Sequence, residues 1–255
     1  PFTEEAWPED LARYCRPVVL TRFFRSVIRT MQAEKVRRLL LLGKARRDIL
    51  YRSPAFDLRS LWLLLRSVSQ SDTSLFLKLA AELEERGITI LEQPTYLPEF
   101  FLELGRYGKR LSSREVRDVA FGLKHVRSIN ALDLGQTLVC GDRAILAIEC
   151  AEGTDACIVR GGELFHKRGA VVCKVAKEDH DLRFDMPVVG RSTLFSMQSS
   201  GCRVLALEAK RTFVVEPELF LKLAAESGIT VIALDPEATD EQALRRMNRF
   251  FYGKN

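Results

Sequence analysis

The stretch ALDLGQTLVCGDRAILAIECAEGTDACIVR (131–160) decides how this chain folds. TLVC (137–140), the turn Gly141-Asp142 and AILAIEC (144–150) have the turn chemistry of a β-hairpin. The chain then leaves the second strand through Glu152-Gly153. It enters a short helix that Thr154 or Asp155 can N-cap onto Ile158. Further on, AVVCK (170–174) reads as a strand, and Gly190 precedes a helix that runs to Ser200 and is closed by Gly201. RVLALEA (203–209), RTFVVE (211–216), a helix from Pro217 and TVIALD (230–235) complete a small mixed sheet. Residues 130–255 are therefore expected to form a mixed α/β domain.

Upstream of that hairpin the pattern changes to alternating helix and strand. Ser112-Ser113-Arg114-Glu115 is a capping box opening a helix through Arg127, which is expected to end a first domain at residue 129. Segment 21–35 places Phe23, Phe24, Val27, Ile28 and Met31 on one helical face, and RRLLLLG (37–43) reads as a buried strand. LWLLL (61–65) lies within a further helix, Asp72 can N-cap another through Glu85, and ITILEQ (88–93) follows Gly87 as a strand. This order predicts a Rossmann-like α/β layer over residues 1–129. The octet LFLKLAAE occurs at 75–82 and again at 219–226, each time followed shortly by Gly-Ile-Thr and a strand. A solenoid needs at least three copies, so the repeat reads as local reuse of one helix–strand unit.

Composition narrows the function classes. The 255 residues are 47% hydrophobic and 29% charged, ordinary for a globular protein. The formal charge of +5 is uneven: residues 1–130 carry 23 Lys+Arg against 16 Asp+Glu, and residues 131–255 carry 16 against 18. A basic half suits nucleotide phosphates or an anionic membrane surface, with a plain arginine-rich surface as the alternative. No basic patch interleaved with aromatics and no recognised module points to nucleic acid. The six cysteines form no C-x-x-C pair and read as reduced thiols in a cytoplasmic protein. Three scattered histidines do not suggest a metal cluster, and no run of 18 apolar residues suggests a membrane span.

The chemistry concentrates between Asp133 and Thr193. KVAKEDHDLRFDMPVVGRST (174–193) packs Lys174, Lys177, Arg183, Asp179, Asp181 and Asp185 into a dozen residues, closed by Pro187 and Gly190. Cations bind phosphoryl oxygens and carboxylates bind a divalent metal or orient water, so the pattern suits a polyphosphate. Asp185 is the first candidate for the catalytic carboxylate; the alternative is a structural partner of Arg183. Arg183 can grip two oxygens at once. Glu152, Gly153 and Thr154 suit a phosphate-binding loop at a helix start, with a plain N-cap as the alternative. Lys174 and Lys177 are phosphate candidates, although Lys177 also reads as a surface lysine. Asp133 and Gln136 either contact substrate or pin a hinge. In the basic loop Lys44-Ala45-Arg46-Arg47, at a strand end, Lys44 is a phosphate or ribose candidate, and a solvated turn is the alternative.

These blocks resemble the LpxI family, the UDP-2,3-diacylglucosamine hydrolases of bacterial lipid A synthesis. The resemblance rests on Asp133-Leu134-Gly135-Gln136, Glu149, Glu152-Gly153-Thr154-Asp155, Arg160, Lys174, Lys177, Asp181, Arg183, Asp185, Pro187, Gly190 and Thr193. His180 departs from it, standing where the family usually has Gln. The resemblance implies hydrolysis of a diphosphate to UMP and 2,3-diacylglucosamine 1-phosphate, with the first domain holding uridine and the second the acylated sugar phosphate. It implies Asp185, Asp181 and Arg183 as catalytic residues and Mg²⁺ held by Asp185 and Asp155. It further implies Thr193 and Asp72 as substrate contacts, Asp72 also being a helix cap. Leu134, Leu164, Phe165, Phe184, Met186 and Phe195 line an acyl tunnel or belong to the core. A peripheral position on the cytoplasmic face of the inner membrane and a homodimer are the expected partners and location. Family members open with a strand and a Gly-rich loop; this chain opens at Pro1 without them, so its first elements are expected to be missing, with divergence at that end as the alternative. The alternatives are a non-catalytic lipid- or sugar-nucleotide-binding protein of the same fold, and a different pyrophosphatase. A His/Asp metallophosphoesterase would need more than three histidines.

Overall fold

A computed structural model describes residues 23–42, 77, 80–132, 134–177, 181–183, 186–237 and 241–249. The chain divides into two compact units, Pro1–Leu91 and Glu92–Asn255. In the first, helix α1 (Phe23–Ala33) precedes strand β1 (Arg38–Leu39), which pairs in parallel with β2 (Thr89–Ile90). The segment read as a buried strand over 37–43 is thus a two-residue strand, and Arg38 and Leu42 are exposed. Between the two strands the described residues 77 and 80–84 are helical, so this unit mixes helix and strand.

The second unit is built from helix α2 (Gln93–Tyr96), strand β3 (Gly105–Tyr107), helix α3 (Ser113–Ala131), and strands β4 (Thr137–Gly141) and β5 (Ala144–Ile148). Helix α4 (Thr154–Leu164), strands β6 (Val171–Lys174) and β7 (Val188–Val189), and helix α5 (Arg191–Ser200) come next. Strands β8 (Val204–Glu208) and β9 (Phe213–Val214), helix α6 (Pro217–Glu226), strand β10 (Thr230–Leu234) and helix α7 (Glu241–Met247) complete it. Six strands form one mixed sheet in the order β3-β10-β8-β6-β4-β5. β6, β8 and β10 run parallel; β4 is antiparallel to both β5 and β6. RTFVVE does not join this sheet, because β9 pairs with β7 in a separate two-stranded ladder.

Alternation along the central strands builds two cores, one on each face. Val139, Val172, Leu205 and Val231 pack with Ile158, Met197 and Phe220 on the side of α4, α5 and α6. Leu138, Cys173, Ala206 and Ile232 pack with Val119, Leu123 and Leu244 on the side of α3 and α7. Fully burying each such aliphatic side chain contributes about 1.5–3 kcal/mol. Helix α3 starts as the sequence predicts: Ser112 Oγ accepts the Glu115 amide at 3.2 Å, and Glu115 Oε2 accepts the Ser112 amide at 2.7 Å. It lies on β4 and β6 within the second unit, whereas the sequence reading placed it at the end of the first domain.

The β4–β5 hairpin turns on Asp142 (φ 51°) and Arg143 (φ 58°), neither of them glycine. The buried Asp118 of α3 offsets that conformational cost, its carboxylate accepting the amides of Asp142 (3.1 Å) and Arg143 (2.9 Å). This fixes the hairpin register, and with it the end of the sheet at which the motif residues emerge. The C-terminal ends of β5, β6, β8 and β10 and the N-terminus of β4 share that end.

Candidate active site

Thr137 and Lys174 are directly opposite residues of the antiparallel β4–β6 pair, so their side chains leave the same face of the sheet together. The Lys174 ammonium donates to Thr137 Oγ1 at 3.1 Å and to Thr154 Oγ1, at the start of α4, at 2.8 Å. It also lies 3.6 Å from Glu149 Oε2, while Thr154 Oγ1 donates to Glu149 Oε1 at 2.8 Å. With side-chain exposures of 5% for Lys174 and 14% for Glu149, this charge pair is largely withdrawn from water. The carboxylate and the two hydroxyls replace hydration that burial takes from the ammonium. The tie joins the three sequence blocks of the motif: Thr137 from the first, Glu149 and Thr154 from the second, Lys174 from the third.

Gly153 caps α4 at φ 86°, a conformation that side chains rarely adopt, and no atom lies within 4 Å of where its Cβ would be. The half-buried start of the 11-residue α4 presents amide N–H groups and the positive end of a helix dipole. Gly135 is needed for a different reason: a Cβ there would sit 1.9 Å from the carbonyl oxygen of Glu149. Glu152 closes the loop, accepting the Cys150 amide at 3.1 Å and pairing with Arg160, which also donates to the Ile148 carbonyl at 2.9 Å. Its carboxyl lies below the ordinary carboxylate range, first through its own backbone amide and then through Arg160.

The loop after β6 is anchored at several backbone points. The Ala176 amide donates to Glu208 Oε2 at 3.0 Å, Asn130 Nδ2 donates to the Val175 carbonyl at 3.3 Å, and Arg211 donates to the Lys177 carbonyl. Further along, the Gln93 amide donates to the Leu182 carbonyl at 2.9 Å and the Phe213 amide to Pro187 at 2.8 Å. Between these anchors Arg183 grips Asp181 with two nitrogens, Nε to Oδ1 at 2.8 Å and Nη2 to Oδ2 at 2.6 Å. A described partner of Arg183 is thus the aspartate two residues before it.

The other sequence candidates divide in kind. Gln136 accepts the Val175 amide through its carbonyl at 3.1 Å, joining the first block to the third through backbone. Thr193 is buried in the first turn of α5, its hydroxyl accepting the Gly190 amide at 3.4 Å. The side chain of Asp155, in the first turn of α4, makes no hydrogen bond or ion pair among the described residues. Asp185, Asp133, Lys44 and Asp72 lie outside the described residues, as do Asp179 and His180. Of the apolar tunnel candidates, Phe165 and Met186 are buried, whereas Leu134, Leu164 and Phe195 are exposed; Phe184 lies outside the description.

Sequence reading missed four contributors. Thr137 looked like strand, and Glu149 was matched but given no role. Glu208 was read as the tail of an apolar run, yet it is 3% exposed and carries both the Ala176 amide and Arg127 Nη2, at 3.3 Å. A carboxylate ending the run VLALE was the available signal; its partner Arg127, far upstream, was not legible. Arg211 gave no local signal at all.

Residues 104–232 match the LpxI C-terminal domain and residues 2–100 match the LpxI N-terminal domain. The chain belongs to the LpxI family. It is 30% identical over 188 residues to the UDP-2,3-diacylglucosamine pyrophosphatase LpxI of Caulobacter vibrioides, covering 71% of this chain and 67% of that protein. The LpxI C-terminal match includes Thr137, Glu149, Thr154, Lys174 and Glu208, so the buried knot and its anchor both fall inside the family domain. Cys140, Cys157, Cys173 and Cys202 are free and buried, and Cys150 is free and exposed. Burial pushes the Cys157 thiol up to about 12, and Cys202 is raised for the same reason. No helix among the described residues is long and apolar enough to cross a membrane.

Proposed function

We propose that this LpxI protein hydrolyses the pyrophosphate bond of UDP-2,3-diacylglucosamine, giving UMP and 2,3-diacylglucosamine 1-phosphate. What carries the reading is the LpxI match over both parts of the chain, together with the meeting of Glu149, Thr154 and Lys174 at one end of the sheet. In the reaction the oxygen of water bonds to one phosphorus, the bridging phosphorus–oxygen bond breaks, and the proton of water leaves to a carboxylate or solvent. Negative charge grows on the phosphoryl oxygens as this happens. Lys174 and the α4 amide groups are suited to offset it, because they are fixed in place before the substrate arrives. Arg183 supplies a planar fork for two oxygens, oriented by Asp181. Asp185 orients the attacking water, and the N-terminal domain holds the uridine nucleotide in a Rossmann-like layer.

Among the described residues no group of three or more His, Cys, Asp or Glu forms a metal cage. Mg²⁺ does not require one, since it commonly takes one or two carboxylates and completes its shell with water and phosphate. Asp155, without a partner among the described residues, is an oxygen donor of that kind, and Asp185 would be the second. Bound there, Mg²⁺ would neutralise charge on the diphosphate.

The test is release of UMP from the acylated sugar nucleotide by the wild type and by Asp185→Ala, each with Mg²⁺ and with a chelator. The expected result is metal-dependent turnover in the wild type, and a variant that still binds substrate without turning it over. Near-normal turnover by Asp185→Ala removes that residue from the mechanism. Binding without hydrolysis by the wild type favours the non-catalytic reading.

A further inference from the structure

A hollow of about 640 Å³ lies away from the strand-end knot, on the outer face of α3. Arg117, Lys124, Arg127 and Arg143 line it, with Phe121 and Glu241. Its few acids are engaged. Glu241 pairs with Arg245 at 2.6 Å, and the Asp118 carboxylate is taken up by the hairpin amides. Arg127 is held by Glu208, but Arg117, Lys124 and Arg143 are exposed and have no ion pair among the described residues. Folding gains nothing from gathering three unpaired cations on one face, since they repel one another.

The same helical face continues in a different character. Arg117, Phe121, Lys124, Ser128 and Leu132 follow one another at steps of four, three, four and four residues, which keeps them on one side of a helix. Leu132, at the end of α3, is 70% exposed, and the neighbouring Leu134 is 54% exposed. Both stand at the end of the sheet that carries Thr137 and Lys174. Cations along a helix followed by protruding leucines match an anionic bilayer, whose headgroups attract the first and whose acyl boundary accepts the second.

We propose that the outer face of α3 seats this protein on an anionic membrane surface, with Leu132 and Leu134 entering the acyl boundary beside the strand-end knot. The choice of a bilayer as occupant rests on the reading that the substrate is acylated; the cationic groove stands without it.

The experiment is co-sedimentation of the full chain with vesicles of phosphatidylglycerol mixed into phosphatidylcholine, and with phosphatidylcholine alone. The wild type should pellet with the anionic vesicles and be released by salt. Each cation near such a surface contributes about 1 kcal/mol, so Arg117→Gln/Lys124→Gln/Arg143→Gln should lower partitioning by roughly a hundredfold. Leu132→Ser/Leu134→Ser should weaken it further without altering its salt dependence. Circular dichroism checks that the variants fold, and UMP release by Arg117→Gln/Lys124→Gln/Arg143→Gln from a detergent-dispersed substrate should stay at the wild-type level, since those three residues line the groove on α3 and lie outside the knot and the motif. Wild-type protein that stays in the supernatant, or variants that pellet equally well, overturns the proposal while leaving the hydrolase reading intact. Inorganic phosphate binding that the triple variant abolishes, without vesicle binding by the wild type, also overturns it and makes the groove a small-anion site. Loss of hydrolysis in the wild type with vesicle binding retained fails the other reading alone.

Discussion

Removing the Lys174 ammonium tests whether the strand-end knot is a coupled unit or a set of adjacent groups. At 3.6 Å and an effective dielectric of roughly 20, the attraction between Lys174 and Glu149 is about 4–5 kcal/mol before desolvation is subtracted. Desolvating both ions offsets much of that, so the pair as a whole adds little to stability. Lys174→Met keeps the length of the side chain but leaves the Glu149 carboxylate with little exposure and the Thr154 hydroxyl as a donor. The expected cost is therefore about 3–5 kcal/mol. Glu149→Gln removes one carboxylate partner of the cation and should cost about 2–4 kcal/mol, the two threonine hydroxyls sparing part of it. Combined, the two changes should cost about 2–3 kcal/mol less than their sum, a coupling energy expected of contacting charges. Urea denaturation of the full chain, read by circular dichroism for each single variant and the double, measures this directly. Additivity within about 0.5 kcal/mol would falsify the coupled-knot reading, and so would a loss below about 1 kcal/mol in Lys174→Met.

Gly135→Ala should displace the Glu149 carbonyl, because the new Cβ would lie 1.9 Å from it, and lower both stability and UMP release. Wild-type stability and turnover in that variant would show that the segment shifts freely. Alkaline pH gives a second readout. The Cys157 thiol is raised from 9.0 to about 12 by burial, so between those values an unfolded chain ionises while the folded one does not. The unfolded state then holds fewer protons, and stability should fall as pH climbs through that window. The urea midpoint of the wild type should drop there more steeply than that of Cys157→Ala, and parallel curves would refute the assignment.

Local chemistry was legible wherever it was self-contained. The capping box at Ser112 appears as read, and the hairpin after Thr137 forms, but it turns on Asp142-Arg143, one residue beyond the Gly141-Asp142 turn the sequence predicts. The octet LFLKLAAE occurs twice, and the described residues that follow each copy are alike. In each copy a helix ends at a glycine with positive φ, Gly87 (74°) or Gly228 (67°), and a strand follows. The amides of Ile88 and Ile229 donate back to Leu83 (3.0 Å) and Ala224 (2.8 Å), five residues earlier, so the same glycine turn closes both helices, although the glycine stands five residues after the first octet and two after the second. What was not legible depended on distant partners. The early apolar run RRLLLLG gives a described strand of only two residues, Arg38–Leu39. β3 is too short to signal itself, yet it edges the sheet through β10, more than a hundred residues away. Glu208 ends an apolar strand whose local pattern says nothing of Arg127 or of the Ala176 amide.

The residues that sequence reading weighted most and those that hold the site in place are largely different sets. Lys174 and Thr154 belong to both. Glu152 and Asp181 are met mainly by Arg160 and Arg183, so their charge shapes loops as much as it faces a ligand. Glu149, Thr137, Glu208 and Arg211 drew little notice, yet each fixes an atom of the motif: an ammonium, a hydroxyl or a backbone amide. A site that must stabilise charge only as it develops cannot reorganise at that moment without losing the advantage. Rigidity must therefore come from groups that never touch the substrate, and such groups carry no chemical signature of their own. The buried carboxylate at the end of β8 is the clearest instance. It spends its charge on Arg127 and on one amide of the loop that follows Lys174, where no substrate oxygen could use it.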